Sequence, residues 1–172
     1  MNGNSLFLAS QDERQAYMRY LTDLHGEHFP AERVLTLEDV MTAAERPRLQ
    51  HHVDVMMPKA CALDGSYITS IDKNPNYSQS GPLIPTLTKK DKVVSLKTDG
   101  SHMIATPTEH LIFQGEALAD AAASDDYPCY FKALVSDGKL TYGQMKEMAG
   151  NSYHMLSMGQ FMFYCLSSLT PA

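Results

Sequence analysis

The sequence predicts an α+β fold, in which short strands and short helices form a small region and a long apolar helix follows them. Three observations carry this prediction. Capping patterns recur along the chain: Ser10-Gln11-Asp12-Glu13, Thr36-Leu37-Glu38-Asp39 and Thr106-Pro107-Thr108-Glu109 each place a hydroxyl three residues ahead of a carboxylate, the arrangement that satisfies the free N–H groups of a first helical turn. Between them lie short apolar runs broken by turn residues, with no long helical period. From residue 153 to 169 the chain is apolar with few breaks. The 172 residues suffice for a real core. We divide them into an N-terminal helical segment (1–46), a small region of strands and helices (47–135) and a C-terminal helical segment (136–172).

Taken in order, the first helix begins after Ser10, carries Tyr17, Tyr20, Leu21 and Leu24 on one face, and stops at Gly26. His25 and His28 flank that stop and read as a surface turn, because no third His or Cys accompanies them. Thr36 opens a short helix that should end by Pro47. Val53, Val55, Tyr67 and Ile68 suggest short strands, and Asn74 to Pro82 reads as a loop. Val93-Val94-Ser95-Leu96, the turn Asp99-Gly100 and Met103-Ile104 predict a hairpin. Thr106 caps a short helix with Pro107 at its first position, and Gly115 closes it. Ala117 to Ala123 reads as helical, Ser124 to Pro128 as a break, and Ser136-Asp137-Gly138 as a turn. Thr141 to Met148 is helical. Gly150-Asn151-Ser152 is expected to be a turn, with Asn capping the helix that follows. That last helix presents Met155, Met158, Met162, Cys165, Leu166 and Leu169 at helical spacing, with Phe161, Phe163 and Tyr164 on other faces. Such a helix needs burial all round.

Composition narrows the function. A formal charge of −6 argues against a protein that grips nucleic acid by bulk electrostatics and leaves only a local basic patch for that role. The tract Lys89-Lys90-Asp91-Lys92 reads as a solvated loop. Cys61, Cys129 and Cys165 are far apart, which fits free thiols in a reducing, intracellular compartment. The first residues lack the basic start and apolar run of a signal peptide, and the stretch 153–169 holds His154 and Gln160, so no membrane span is expected.

The order of several pieces carries a resemblance. Pro85-Thr86-Leu87-Thr88 is a Thr-rich piece. Thr106, Pro107, Glu109, Gln114 and Gly115 follow it in a Thr-Pro-x-Glu to Gln-Gly pattern. Gly150, Asn151 and Ser152 then precede the last helix. Earlier, Phe29-Pro30 is followed by Leu37-Glu38-Asp39-Val40. This ordered set, over roughly residues 29–169, resembles the C-terminal part of the DNA cytosine-5 methyltransferases. The resemblance implies that Thr86, Thr88, Thr106, Pro107, Glu109, Gln114 and Gly115 belong to a target-recognition scaffold beside DNA. It implies that Asn151 and Ser152 form one wall of an S-adenosylmethionine pocket. It also implies that the last helix packs on a Rossmann-like sheet, and that the compartment is the nucleus.

The chain departs from that family in ways that matter chemically. Met103, Thr108 and Ile112 stand where the family has arginines, and Glu116-Ala117 replaces its Phe-Pro, so cations that would face phosphates are missing. The nucleophilic Pro-Cys loop and the Glu-Asn-Val segment that methylate an extruded base are not found; Pro128-Cys129 lies on the wrong side of the Thr-Pro motif. The expected protein is therefore a C-terminal fragment, without catalytic residues of its own. It would bind S-adenosylmethionine only with a partner domain, and DNA weakly. Residues 153–169 would dock on a polypeptide carrying the catalytic half. The alternative is a non-catalytic structural or interaction subunit that uses the same Met-rich helix to join a larger assembly. A third reading makes the motifs generic capping chemistry in an unrelated small domain.

Overall fold

The computed structural model describes residues 7–60, 65–76, 80–88, 91–114, 134–135, 137–151, 158, 160–163 and 165. Helix α1 (Gln11–Leu24) starts where the hydroxyl of Ser10 accepts the N–H of Glu13 at 3.2 Å and ends at Gly26, whose φ of +72° is open to glycine at little steric cost. Arg14, Tyr17, Met18 and Leu21 form its buried stripe. Leu24, expected on that stripe, is 63% exposed, because it lies in the final turn, next to the glycine where the chain leaves the core.

Thr36 and Asp39 cap a 3-10 turn (Leu37–Val40): both the N–H and the hydroxyl of Thr36 donate to Asp39 Oδ2, at 2.8 and 2.9 Å. Pro47 does not end a helix here. It sits in the first turn of α2 (Arg46–His51), where its missing N–H costs nothing. The chain then continues through a π turn (His52–Met56) into α3 (Met57–Ala60). Val53 and Val55 are consequently helical and not in strands; the inward positions Leu49, His52 and Met57 decide the local structure over β-branched propensity.

The sheet is antiparallel, in the order β1 (Ser66–Ser70), β2 (Val93–Lys97), β3 (Met103–Ile104). Tyr67 pairs with Leu96, Thr69 with Val94, and Val94 with Ile104. Gly81 bridges to Ile68 on the other edge of β1. Both faces are covered. Tyr67, Ile71, Val94, Leu96 and Ile104 join the main core with α1, α2 and the 3-10 turn. Ile68 and Val93 face Ala105, Phe113 and the partly buried Phe7, Ile84 and Leu87. A strand buried on both faces reads as a continuous apolar run with small polar residues satisfied inside it, as in Ser66-Tyr67-Ile68-Thr69-Ser70, which is buried throughout.

Gly65 enters β1 with φ of +74°, and a Cβ built on it would lie 2.5 Å from Thr98 Oγ1. Gly65→Ala is therefore expected to destabilise the fold by about 1–3 kcal/mol, read as a lower urea midpoint; an unchanged midpoint would show that the turn can reorganise.

Helix α4 (Pro107–Phe113) has the full capping box expected of it, Thr106 taking the N–H of Glu109 and Glu109 taking the N–H of Thr106. Every residue of α4 is buried. Helix α5 (Tyr142–Asn151) packs against α4, with Leu111, Met145 and Ala149 fully enclosed. The helix runs on through Gly150 and Asn151, so these two residues are not a turn and Asn151 is the last residue of a helix instead of a cap. Its start at Tyr142 is tied to α1 by the rings of Tyr17, Tyr20 and Tyr142, whose centroids lie 5.3–6.3 Å apart. Residues 160–163 are helical, and Phe161, Met162 and Phe163 are 63%, 55% and 75% exposed. Among the described residues of this segment, these three side chains, expected to be buried, are uncovered.

Candidate functional site

The residues singled out by the motifs fall into three places. Thr86 and Thr88 lie on an exposed loop. The carbonyl of Thr86 accepts Lys73 Nζ at 2.9 Å, while the N–H and hydroxyl of Thr88 donate to the buried carboxylate of Asp91 at 2.7 and 2.8 Å. Thr106, Pro107, Glu109 and Gln114 are assembled in and around α4, all buried. Asn151 ends α5 and is exposed. Gly115 and Ser152 lie outside the described residues, as do Cys61, Cys129, Lys89, Lys90, the segment 117–123 and most of 153–169. Cys165 is an exposed free thiol.

Glu109 is the centre of the second group. Its carboxylate accepts from Arg14 Nη1 and Nη2, each at 3.0 Å, from Thr106 N at 2.8 Å and from Ala9 N at 2.7 Å. Arg14 also donates to the carbonyls of Ile104 and Ala9. A fork of this kind is specific in direction as well as charge. It ties the start of α1, the end of β3 and the start of α4 into one joint. Thr108 and Ile112, two of the positions that depart from the resembled motif, are 4% and 2% exposed. They pack inward, where an arginine would need a buried partner.

The tract expected to be solvated proves otherwise at its end. Asp91 is 1% and Lys92 8% exposed; Lys92 Nζ reaches Glu45 Oε2 at 2.8 Å, and Asp91 Oδ2 holds Lys73 Nζ at 3.0 Å. The reason is position. Both residues directly precede β2, so their side chains are carried into the body by the strand.

Comparison with protein-family models, curated proteins and solved structures returns no match to this chain.

The remaining polar interior is built from hydroxyls and imidazoles. His52, fully buried, has Nδ1 3.0 Å from the Tyr67 hydroxyl and Nε2 3.3 Å from Thr69 Oγ1, which is 2.8 Å from Ser80 Oγ. Burial, with the charge of His51, pushes His52 down to about 4, so the ring is neutral near pH 7 and acts as one donor and one acceptor. His110 on α4 is pushed down to about 3 by burial and by the charge of Lys146.

Two half-open clefts of about 410 and 490 Å³ lie on either side of Glu38 and His102. The first runs between α1 and the tip of the β2–β3 hairpin, the second along the outer side of α2. Their walls mix polar side chains such as Gln11, Ser101, Arg46 and Gln50 with apolar ones such as Met18, Leu35, Leu49 and Val53. Burial lowers the pKa of His102, leaving it able to donate or accept without charge. Among the described residues, no group of His, Cys, Asp and Glu could hold a metal ion, and no helix is long and apolar enough to cross a membrane.

Motif reading missed the partners Arg14, Glu45, Asp72 and Lys92. Arg14 did leave a signal: positions 14, 17, 18 and 21 are one helical stripe, and a cation on it announces a buried acid.

Proposed function

We propose that this chain is the C-terminal segment of a DNA cytosine-5 methyltransferase, contributing target-recognition scaffold and one wall of an S-adenosylmethionine pocket, and inactive without a polypeptide that carries the catalytic half. The single observation that supports the reading is the contact between α4 and α5 through Leu111, Met145 and Ala149. It brings the helix of the Thr-Pro-x-Glu motif against the helix that ends in Gly150-Asn151. The order of motifs along the chain is thereby matched by adjacency in space. In this reading the exposed Phe161, Met162 and Phe163 meet the catalytic half, since an apolar run of that size marks a protein contact.

The inward packing of Thr108 and Ile112 favours a second reading, in which the chain is a non-catalytic subunit that keeps the scaffold and docks through the same helix. Calorimetric titration of S-adenosylmethionine separates the possibilities. The chain alone should bind none. Mixed with a polypeptide containing the Pro-Cys and Glu-Asn-Val motifs, it should bind the cofactor and transfer methyl groups to duplex DNA. Asn151→Ala should then weaken cofactor binding, and Cys129→Ser should leave transfer unchanged. A stable mixed complex without cofactor binding would select the second reading; binding by a monodisperse monomer would refute the fragment reading.

A further inference from the structure

The cleft of about 490 Å³ along the outer side of α2 holds opposite charges that do not pair with each other. Packing fixes the elements that carry them. Glu38 lies in the 3-10 turn, which the bonds between Thr36 and Asp39 hold in place. Arg46 is the first residue of α2, and Leu49 and Val53 follow it one and two turns on, all in the same wall. His102, from the β2–β3 hairpin, lines the rim that this cleft shares with its neighbour.

Most polar groups of the wall are already engaged. Asp39 Oδ1 accepts from Arg33 at 2.6 Å, and its Oδ2 accepts from Thr36. Gln50 donates to Asp54 Oδ2 at 2.8 Å. Three groups are left. Glu38 and Arg46 are exposed, and among the described residues neither side chain forms an ion pair or a hydrogen bond. A carboxylate and a guanidinium thus stand apart in one cleft. The third group is the far nitrogen of His102. Lys97 donates its backbone N–H to His102 Nδ1 at 3.3 Å, and burial favours the neutral ring, so Nε2 carries the proton and can only donate.

We propose that this cleft binds a small zwitterion of the α-amino-acid class with a branched or aromatic apolar side chain, its ammonium on Glu38, its carboxylate on Arg46 and its side chain against Leu49 and Val53.

The charges select a ligand with two ends. A simple anion would meet Arg46 but lie beside Glu38, and a simple cation would meet Glu38 but lie beside Arg46; each carries a like-charge cost that a zwitterion avoids. The planar fork of arginine matches a carboxylate, and a carboxylate accepts well from an ammonium. His102, being neutral, adds a donor for the ligand's carboxylate without repelling its ammonium. Among the described lining residues Arg46 is the single permanent cation, too few for a polyphosphate. The apolar wall is firm: Leu49 is 6% exposed, and Val53 packs partly buried against the main core. It therefore rewards an apolar side chain by the area it covers. The volume lies within the range of small-molecule sites.

Amide NMR of the full chain, titrated with L-leucine to about 20 mM, tests this, since a few exposed contacts give affinities near the millimolar range. Saturable shifts at Arg46, Val53 and His102 are expected. Isocaproate, which lacks the ammonium, and isopentylamine, which lacks the carboxylate, should each bind roughly fivefold or more weakly. Glu38→Gln should weaken leucine by about the same factor and leave isocaproate no weaker; Arg46→Gln should weaken leucine and isocaproate and spare isopentylamine. Both positions are exposed, so the variants keep the fold. No saturable shift with leucine, shifts confined to other parts of the chain, equal affinity for the single-ended analogues, or leucine binding that survives both substitutions would overturn the proposal.

Discussion

Arg14→Ala is expected to lower the unfolding free energy by about 3–5 kcal/mol, because it leaves a buried carboxylate without its counter-charge. The magnitude follows from burial. The side chains of Arg14 and Glu109 are 6% and 1% exposed, so solvent cannot take over the bonds that the guanidinium makes. Glu109 would keep the N–H groups of Thr106 and Ala9, but these are dipoles and not charges. Glu109→Gln should cost less than Arg14→Ala, since an amide oxygen can still accept from the capping position. The variant combining Arg14→Met with Glu109→Gln should lose less than the sum of the two single changes, as contacting residues do. Urea unfolding with circular dichroism measures all three. A loss below about 1 kcal/mol for Arg14→Ala would mean that water reaches the joint, and the burial seen here would not describe the protein in solution.

The second large effect concerns the contact between the two motif-bearing helices. Leu111→Ala should cost about 2–5 kcal/mol. Leu111 is fully buried against Met145 and Ala149, and both neighbours belong to α5, which cannot close the cavity without tilting. α5 is anchored to α1 at its other end by Tyr142, so a tilt would strain the aromatic cluster. Limited proteolysis should therefore find α5 cleaved sooner in the variant, before the sheet unfolds. Equal protection of α5 in both proteins would mean that the α4–α5 contact is not what holds this helix. The spatial pairing that supports the methyltransferase reading would then lose its weight.

How much of this was legible depends on the range of each interaction. Capping boxes act over three residues, and Ser10, Thr36 and Thr106 all cap as their neighbours require. The hairpin was legible for the same reason, through Asp99-Gly100 and the flanking apolar pairs. Segments whose structure is set by distant packing were not. Val53 and Val55 favour strands locally, yet α2 and the turns after it are fixed by Leu49, His52 and Met57 facing the sheet. Pro47 reads equally well as a stop or a start, and only the preceding turn decides. In the sequence Asn151 reads as a cap because a glycine precedes it, but α5 has enough support from α4 to pass through that glycine. The joint at Glu109 was half visible: the capping role stood in the sequence, while the partner Arg14 lies 95 positions away. The buried pair of Lys92 and Glu45 was hidden, since a lysine-rich run usually faces water.

That separation has a consequence during synthesis. Helix α1 leaves the ribosome long before the acid that neutralises Arg14 has been translated, and at roughly 5–20 residues per second the delay is on the order of 5–20 s. Through that interval the apolar side of α1, with Tyr17, Met18 and Leu21, has neither its sheet nor its ion-pair partner. The nascent N-terminal third is thus a natural client for holding chaperones, and slower decoding of the codons before residue 109 would prolong its exposure without changing the finished protein.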